Sequence, residues 1–273
     1  MQDAFKALKR ADFWRGLLAY GLAVVGAVLL MVIGLVILGI VAEVLSGGQL
    51  SPVSLGLVIT HLWPLVAAIL LLGLAALIYV STVLMVIGRR LAQGEEVGLV
   101  RAWTDGGRFY GRGWLAFVFG LLDALVLGAV ILLVLGLVHA RLLWLAVLVG
   151  LAGTALAILV GMVVLLAQLS AFYFPQLRFT GLIRQGFRLA RQRFWATLGF
   201  LALLGLIGFL VISILAVLAR LLPVAGPVLQ IAGADLILPL GVVVAQFAYF
   251  ERAGFGDQAF PGPEVVALTP TAN

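Results

Sequence analysis

Six stretches of this sequence, at about 16–42, 56–88, 114–138, 142–172, 196–219 and 228–250, hold at most one charged residue each. Each is long enough to cross a bilayer, which takes roughly 20 residues at 1.5 Å of rise per residue. Backbone groups in hydrocarbon have no water to bond, so a spanning segment must satisfy them within itself. That makes the segments helices, since the short alternating strands of a membrane barrel are missing from the sequence. Composition agrees: 64% of the 273 residues are hydrophobic and 10% are charged, against about 25% charged in soluble domains. The expected fold is an all-α polytopic membrane protein with six transmembrane helices. Pro64 and Pro239 are expected to kink their spans. The proline-rich approach "LLPVAGPVLQIAGADLILP" predicts a partly re-entrant entry to the sixth.

The first run is too long for the apolar part of a cleavable signal, about 7–15 residues, and reads as the first span. The chain contains no cysteine, which removes disulfides, thiolate metal sites and cysteine nucleophiles. The formal charge is +6, and its placement argues against a nucleic-acid surface. Fifteen of the seventeen Lys and Arg residues fall before span 1, between spans 2 and 3, between spans 4 and 5, or after span 6. Only Arg141 and Arg220 fall on the other side. The positive-inside rule then predicts a multi-pass protein of the cell membrane with both termini in the cytoplasm. The tail 254–273, with its prolines and no periodicity, reads as a flexible cytoplasmic segment.

Three basic stretches end alike in an aromatic pair: "FKALKRADFW" at 5–14, "VRAWTDGGRFY" at 100–110 and "IRQGFRLARQRFW" at 183–195. Each leads into an apolar span. "GLVR" at 98–101 is echoed by "GLIR" at 181–184. The pattern predicts a single membrane domain, 1–253, of three units at about 1–92, 93–175 and 176–253, each an amphipathic surface helix followed by a two-helix hairpin. In the third stretch Ile183, Phe187, Ala190 and Phe194 share one helical stripe, with Arg184, Arg188 and Arg191 about 100° away. Such a helix is expected to lie in the membrane interface with rings in the acyl region and guanidiniums among phosphates. The candidate contacts to anionic headgroups are Arg184, Arg188, Arg191, Arg193, Lys6, Lys9, Arg10, Arg101 and Arg108. Trp14, Tyr110 and Trp195 suit the aromatic belt at that level.

The stretch "FPQLRFTGLIRQGFRLARQRFWATLG" (174–199) resembles a known group through Pro175, Gly181, Arg184, Arg188, Leu189 and Phe194-Trp195. It is similar to the membrane domain that accompanies glycerophosphodiester phosphodiesterase catalytic domains and to the related YciC-like membrane proteins. The resemblance implies a six-helix integral membrane protein. It does not imply phosphodiesterase activity.

Ionisable groups inside spans are functional candidates. Counted along ideal helices from the basic ends, Asp123, Tyr79, Ser81, Thr82, Gln168 and Gln246 fall about 8–15 Å deep, in one belt. That belt has two readings. In one it lines a cytoplasm-facing cavity in which Asp123 grips a cation or relays protons. In the other it is hydrogen-bonded glue between helices. Asp235 lies nearer the opposite face and is expected to cap a helix or meet water. His61 and His139 have no acidic or thiolate companions, so no metal site is expected. Gly153, Ala157 and Gly161, at i, i+4 and i+8, mark a helix-packing face whose partner is another span or a second subunit.

No nucleophile elbow, zinc-protease or P-loop motif occurs in the sequence, and no enzyme activity or cofactor is expected. The function reading is a structural, assembly or lipid-organising membrane protein. Its expected partners are the bilayer, anionic headgroups and a membrane-protein partner or a second copy. The alternative is a small-solute or proton-coupled transporter using a cavity around Asp123.

Overall fold

The computed structural model describes residues 11–45, 52–222 and 225–255. Among these residues there is no strand. The long helices are α1 (Ala11–Leu45), α2 (Pro52–Gln93), α4 (Tyr110–His139), α5 (Leu143–Tyr173) and α7 (Phe194–Leu221). Two short helices, α3 (Leu99–Arg108) and α6 (Phe179–Gln192), stand between hairpins. The sixth span begins with α8 (Ala225–Gln230), widens into a π-helical turn at Ile231–Ile237 and continues as α9 (Leu238–Arg252). Six of these segments are long and apolar enough to cross a membrane, which makes the chain an all-α, multi-pass membrane protein. The Lys6, Lys9 and Arg10 cluster and the tail beyond Phe255 lie outside the described residues, as does the side chain of His61.

Three helices end in the same way. At the end of α2, Gly94 N–H donates to the Leu91 carbonyl and Glu95 N–H to the Arg90 carbonyl, with Gly94 at φ 74°. After α9, Gly254 at φ 69° repeats the pattern onto Glu251 and Phe250, and the Phe255 ring packs edge-on against Phe250 at 5.5 Å. These are Schellman closures, which use a left-handed residue to satisfy the last carbonyls of a helix. After α4 the left-handed position is filled by Arg141, at φ 60°.

The expected re-entrant entry to span 6 takes a different form. The chain packs α8 back onto α7, where Gly226 approaches so closely that a Cβ would meet the Ala219 backbone at 2.5 Å. From Ala225 to Arg252 the helix then runs on, with right-handed helical angles at both ends of the π turn. Pro239 has no N–H to offer the Asp235 carbonyl, and a wider turn absorbs that lost bond. Asp235 therefore caps no helix start; it sits inside the π turn with its side chain exposed.

The buried core gathers at one end of the bundle. Phe119, Phe172, Phe247, Phe250, Leu166 and Leu189 form one cluster, and Phe13, Val83, Ile87, Leu240 and Val244 another. This is the end that carries Arg89, Arg90, Arg112 and Arg252, and it is called the basic end below. Away from it the helices expose large apolar side chains, up to Trp144 at 86%. In water such a surface would be untenable. In lipid it is ordinary, because tails are as apolar as leucine, and close helix contact then depends on small residues. Gly16 against Ile87, Gly88 against Val243 and Gly153 against Val130 are such contacts.

Candidate functional site

The short helices α3 and α6 follow the first and second hairpins, and each lies back on the second helix of the hairpin before it. A glycine permits each contact. On α3, Gly106 meets Val83 of α2, where a Cβ would stand 2.5 Å from a Val83 methyl. On α6, Gly186 meets the Val163 carbonyl and the Ala167 amide of α5, where no side chain fits.

Beyond that contact each helix shows two further faces. In α6, Leu182, Gln185, Gly186, Leu189 and Ala190 are buried, Ile183 and Phe187 are exposed, and Arg184 and Arg191 are exposed on a third side. The apolar exposed face stands about 110° from the buried one, and the two arginines roughly 70° further round. In α3, Ala102 and Gly106 are buried, Val100 and Trp103 are exposed, and Arg101 and Arg108 point away from both. The rotational order is the same in the two helices. The stripe of Ile183, Phe187, Ala190 and Phe194 is thus mainly a second apolar face; the sequence pattern missed the first, which packs on α5.

The arginines divide into two groups. Arg89, Arg90 and Arg112 act inside the protein. Arg89 Nη1 donates to the Phe172 carbonyl at 2.5 Å and its guanidinium lies 4.8 Å from the centre of the Tyr173 ring. The Tyr173 hydroxyl donates to Glu251 Oε1, and Gln93 Nε2 donates to the same oxygen at 2.9 Å. These bonds join the ends of α2, α5 and α9. Arg90 pairs with Asp105 of α3, with Glu95 3.9 Å away. Arg112 Nη1 donates to the Leu177 carbonyl at 2.8 Å. By contrast Arg101, Arg108, Arg184, Arg191 and Arg193 are exposed and make no ion pair among the described residues. Arg188, half-buried, likewise makes none. The Tyr173–Glu251 link and the inward turn of Arg89 were not anticipated from sequence; the aromatic pairs at 173–174 and 249–250 were the only signal.

The polar belt separates. Ser81, Thr82 and Gln168 line a cleft of about 440 Å³ between α2, α4 and α5, walled otherwise by apolar side chains and glycines such as Gly113 and Gly120. Thr82 Oγ1 donates to its own helix at Ile78, 2.7 Å away, and Gln168 Nε2 donates across to the Ala116 carbonyl of α4 at 2.8 Å. Tyr79 instead docks α3: its hydroxyl donates to the Trp103 carbonyl at 3.0 Å, and Trp103 Nε1 donates to the Ala19 carbonyl of α1 at 3.1 Å. Asp123 is not among the cleft's lining residues. It is half-buried over Gly161, with Oδ1 3.3 Å from where a Cβ would stand. Gln246 is half-buried on α9, also outside the cleft. Gly153 and Gly161 find their partners, Val130 and Asp123, on α4 of the same chain. Ala157 is half-buried between them. Among the described residues no group of three or more His, Cys, Asp or Glu side chains is placed to hold a metal.

Comparison with family models, curated proteins and solved structures gave no match to this chain.

Proposed function

We propose that this is a structural, assembly or lipid-organising protein of the cell membrane, with both termini in the cytoplasm and its short helices resting on the inner leaflet. The single observation that carries the reading is the three-sided character of α3 and α6: one face against a span, one apolar and open, one of arginines that make no ion pair among the described residues. A helix at a lipid–water boundary needs those faces. A short helix that served only as a connector would have no use for an exposed Phe187 beside exposed arginines. The common placement of α3 and α6 also supports a duplicated unit of surface helix plus hairpin, and is consistent with a YciC-like kinship. Transport has less behind it, because Asp123 stands apart from the cleft that Ser81, Thr82 and Gln168 line.

Near an anionic surface each arginine contributes about 1 kcal/mol, so three on one helix should select headgroups. The full chain, placed in nanodiscs of mixed phosphatidylglycerol and phosphatidylcholine, is expected to retain the anionic lipid preferentially. The triple variant R184Q/R188Q/R191Q should lose most of that preference while remaining folded. Equal retention by variant and native protein would refute the reading.

A further inference from the structure

Helix α7 barely joins the bundle. Thr197 is its single buried residue. It is pinned near the basic end, where Thr197 Oγ1 lies 2.8 Å from the Tyr249 hydroxyl and Phe200 stacks on the Tyr249 ring at 4.4 Å. It is pinned again near the far end, where Leu215 covers Gly233. Between these pins a groove of about 510 Å³ separates α7 from the π turn and α9. From Phe200 to Leu215 the groove runs fifteen residues, about 22 Å of helix.

Glycines keep it open. A Cβ on Gly208 or on Gly241, which line opposite walls, would meet no atom within 4 Å. They therefore differ from Gly186 or Gly153, which serve contact. The walls between the pins are apolar, and the groove's polar side chains, Tyr249 and Arg252, both stand at the basic end.

We infer that this groove seats one acyl chain of an anionic glycerophospholipid, with the headgroup at Arg252. The inference deepens the lipid-organising reading and rests on it. Both walls are membrane spans, so hydrocarbon is the medium the groove meets. The cationic end lies where a phosphate would sit. The pins at Thr197–Tyr249 and Leu215–Gly233 hold α7 to α9 and the π turn at both ends of the groove. A flexible hydrocarbon chain can fill a slot of about 510 Å³ over about 22 Å without moving either pin. The length also exceeds one leaflet's share, about 15 Å, of a core about 30 Å thick.

The test uses phosphatidylglycerol carrying a diazirine in its acyl chain, added to the full chain in nanodiscs, with labelled peptides mapped by mass spectrometry. Labelling is expected to concentrate on 203–215 and 237–245, relative to the equally apolar exposed faces of α1 and α4. Filling the groove with G208F/G241F should lower that labelling at least fivefold. R252Q should reduce the advantage of phosphatidylglycerol over phosphatidylcholine there and leave chain labelling in place. The native protein alone provides the decisive map, so misfolding of a variant does not spare the proposal. Labelling spread evenly over all lipid-exposed faces would overturn it. So would a photo-crosslinker at Val211 that captures a second copy, another membrane protein or this chain's own 256–273 in place of lipid. If R184Q/R188Q/R191Q left headgroup preference intact while the groove still labelled, the surface-helix reading would fall and the groove would stand.

Discussion

Gly186 and Gly205 are both helical glycines in apolar surroundings, and their neighbours give them opposite roles. A Cβ at Gly186 would run into the Val163 carbonyl and the Ala167 amide, and backbone cannot step aside. At Gly205 it would meet nothing within 4 Å. Gly186→Ala should therefore cost about 1–3 kcal/mol of stability, as overpacking does. Gly205→Ala should be neutral or gain up to about 1 kcal/mol of helix propensity. Unfolding of the two variants in mild detergent with increasing denaturant checks both signs at once. The arginines carry a related lesson. Arg89, Arg90, Arg101 and Arg108 look alike in sequence, as basic residues between two spans. Structure turns the first two inward onto Phe172 and Asp105 and leaves the others outside. Charge position along a chain reveals the side of the membrane; it does not reveal rotation about a helix end, which packing decides.

At the scale of elements, α3 is held by few bonds and each can be removed. The Arg90 side chain is 12% exposed and pairs with Asp105. Asp105→Asn leaves that guanidinium without its main charged partner, which typically costs about 1.5–3 kcal/mol. The expected result is faster hydrogen exchange across 99–108 with little change in α5 and α6. Uniform loss of protection throughout the chain would mean that α3 is not a separately held unit. Sequence patterning gave the spans to within a few residues, because a long uncharged run has one reading in lipid. For α6 it led to the expectation of a single apolar stripe. The second, led by Leu182 and Leu189, is broken by Gln185 and Gly186, and a period-based reading discards such positions. The π turn was not legible either, since it depends on how Pro239 is absorbed within a continuing helix.

For the whole molecule, the core sits at the basic end and the spans open away from it, with the groove beside α7 among the gaps they leave. The depth count that grouped Asp123, Tyr79, Ser81, Thr82, Gln168 and Gln246 was a one-dimensional measure. It placed residues at similar heights without knowing which helices adjoin. Only Ser81, Thr82 and Gln168 share a cleft, because α2, α4 and α5 meet there while Tyr79 turns to α3. The claim on which the rest depends is that the basic end, with α3 and α6, faces the cytoplasm. The chain has no cysteine, so single-cysteine variants at Arg101, Arg191 and Ala140, all exposed positions, report cleanly. A membrane-impermeant maleimide applied to intact cells is expected to label position 140 alone, with 101 and 191 reacting only after the membrane is opened. Labelling of 101 or 191 from outside, with 140 protected, would contradict the account.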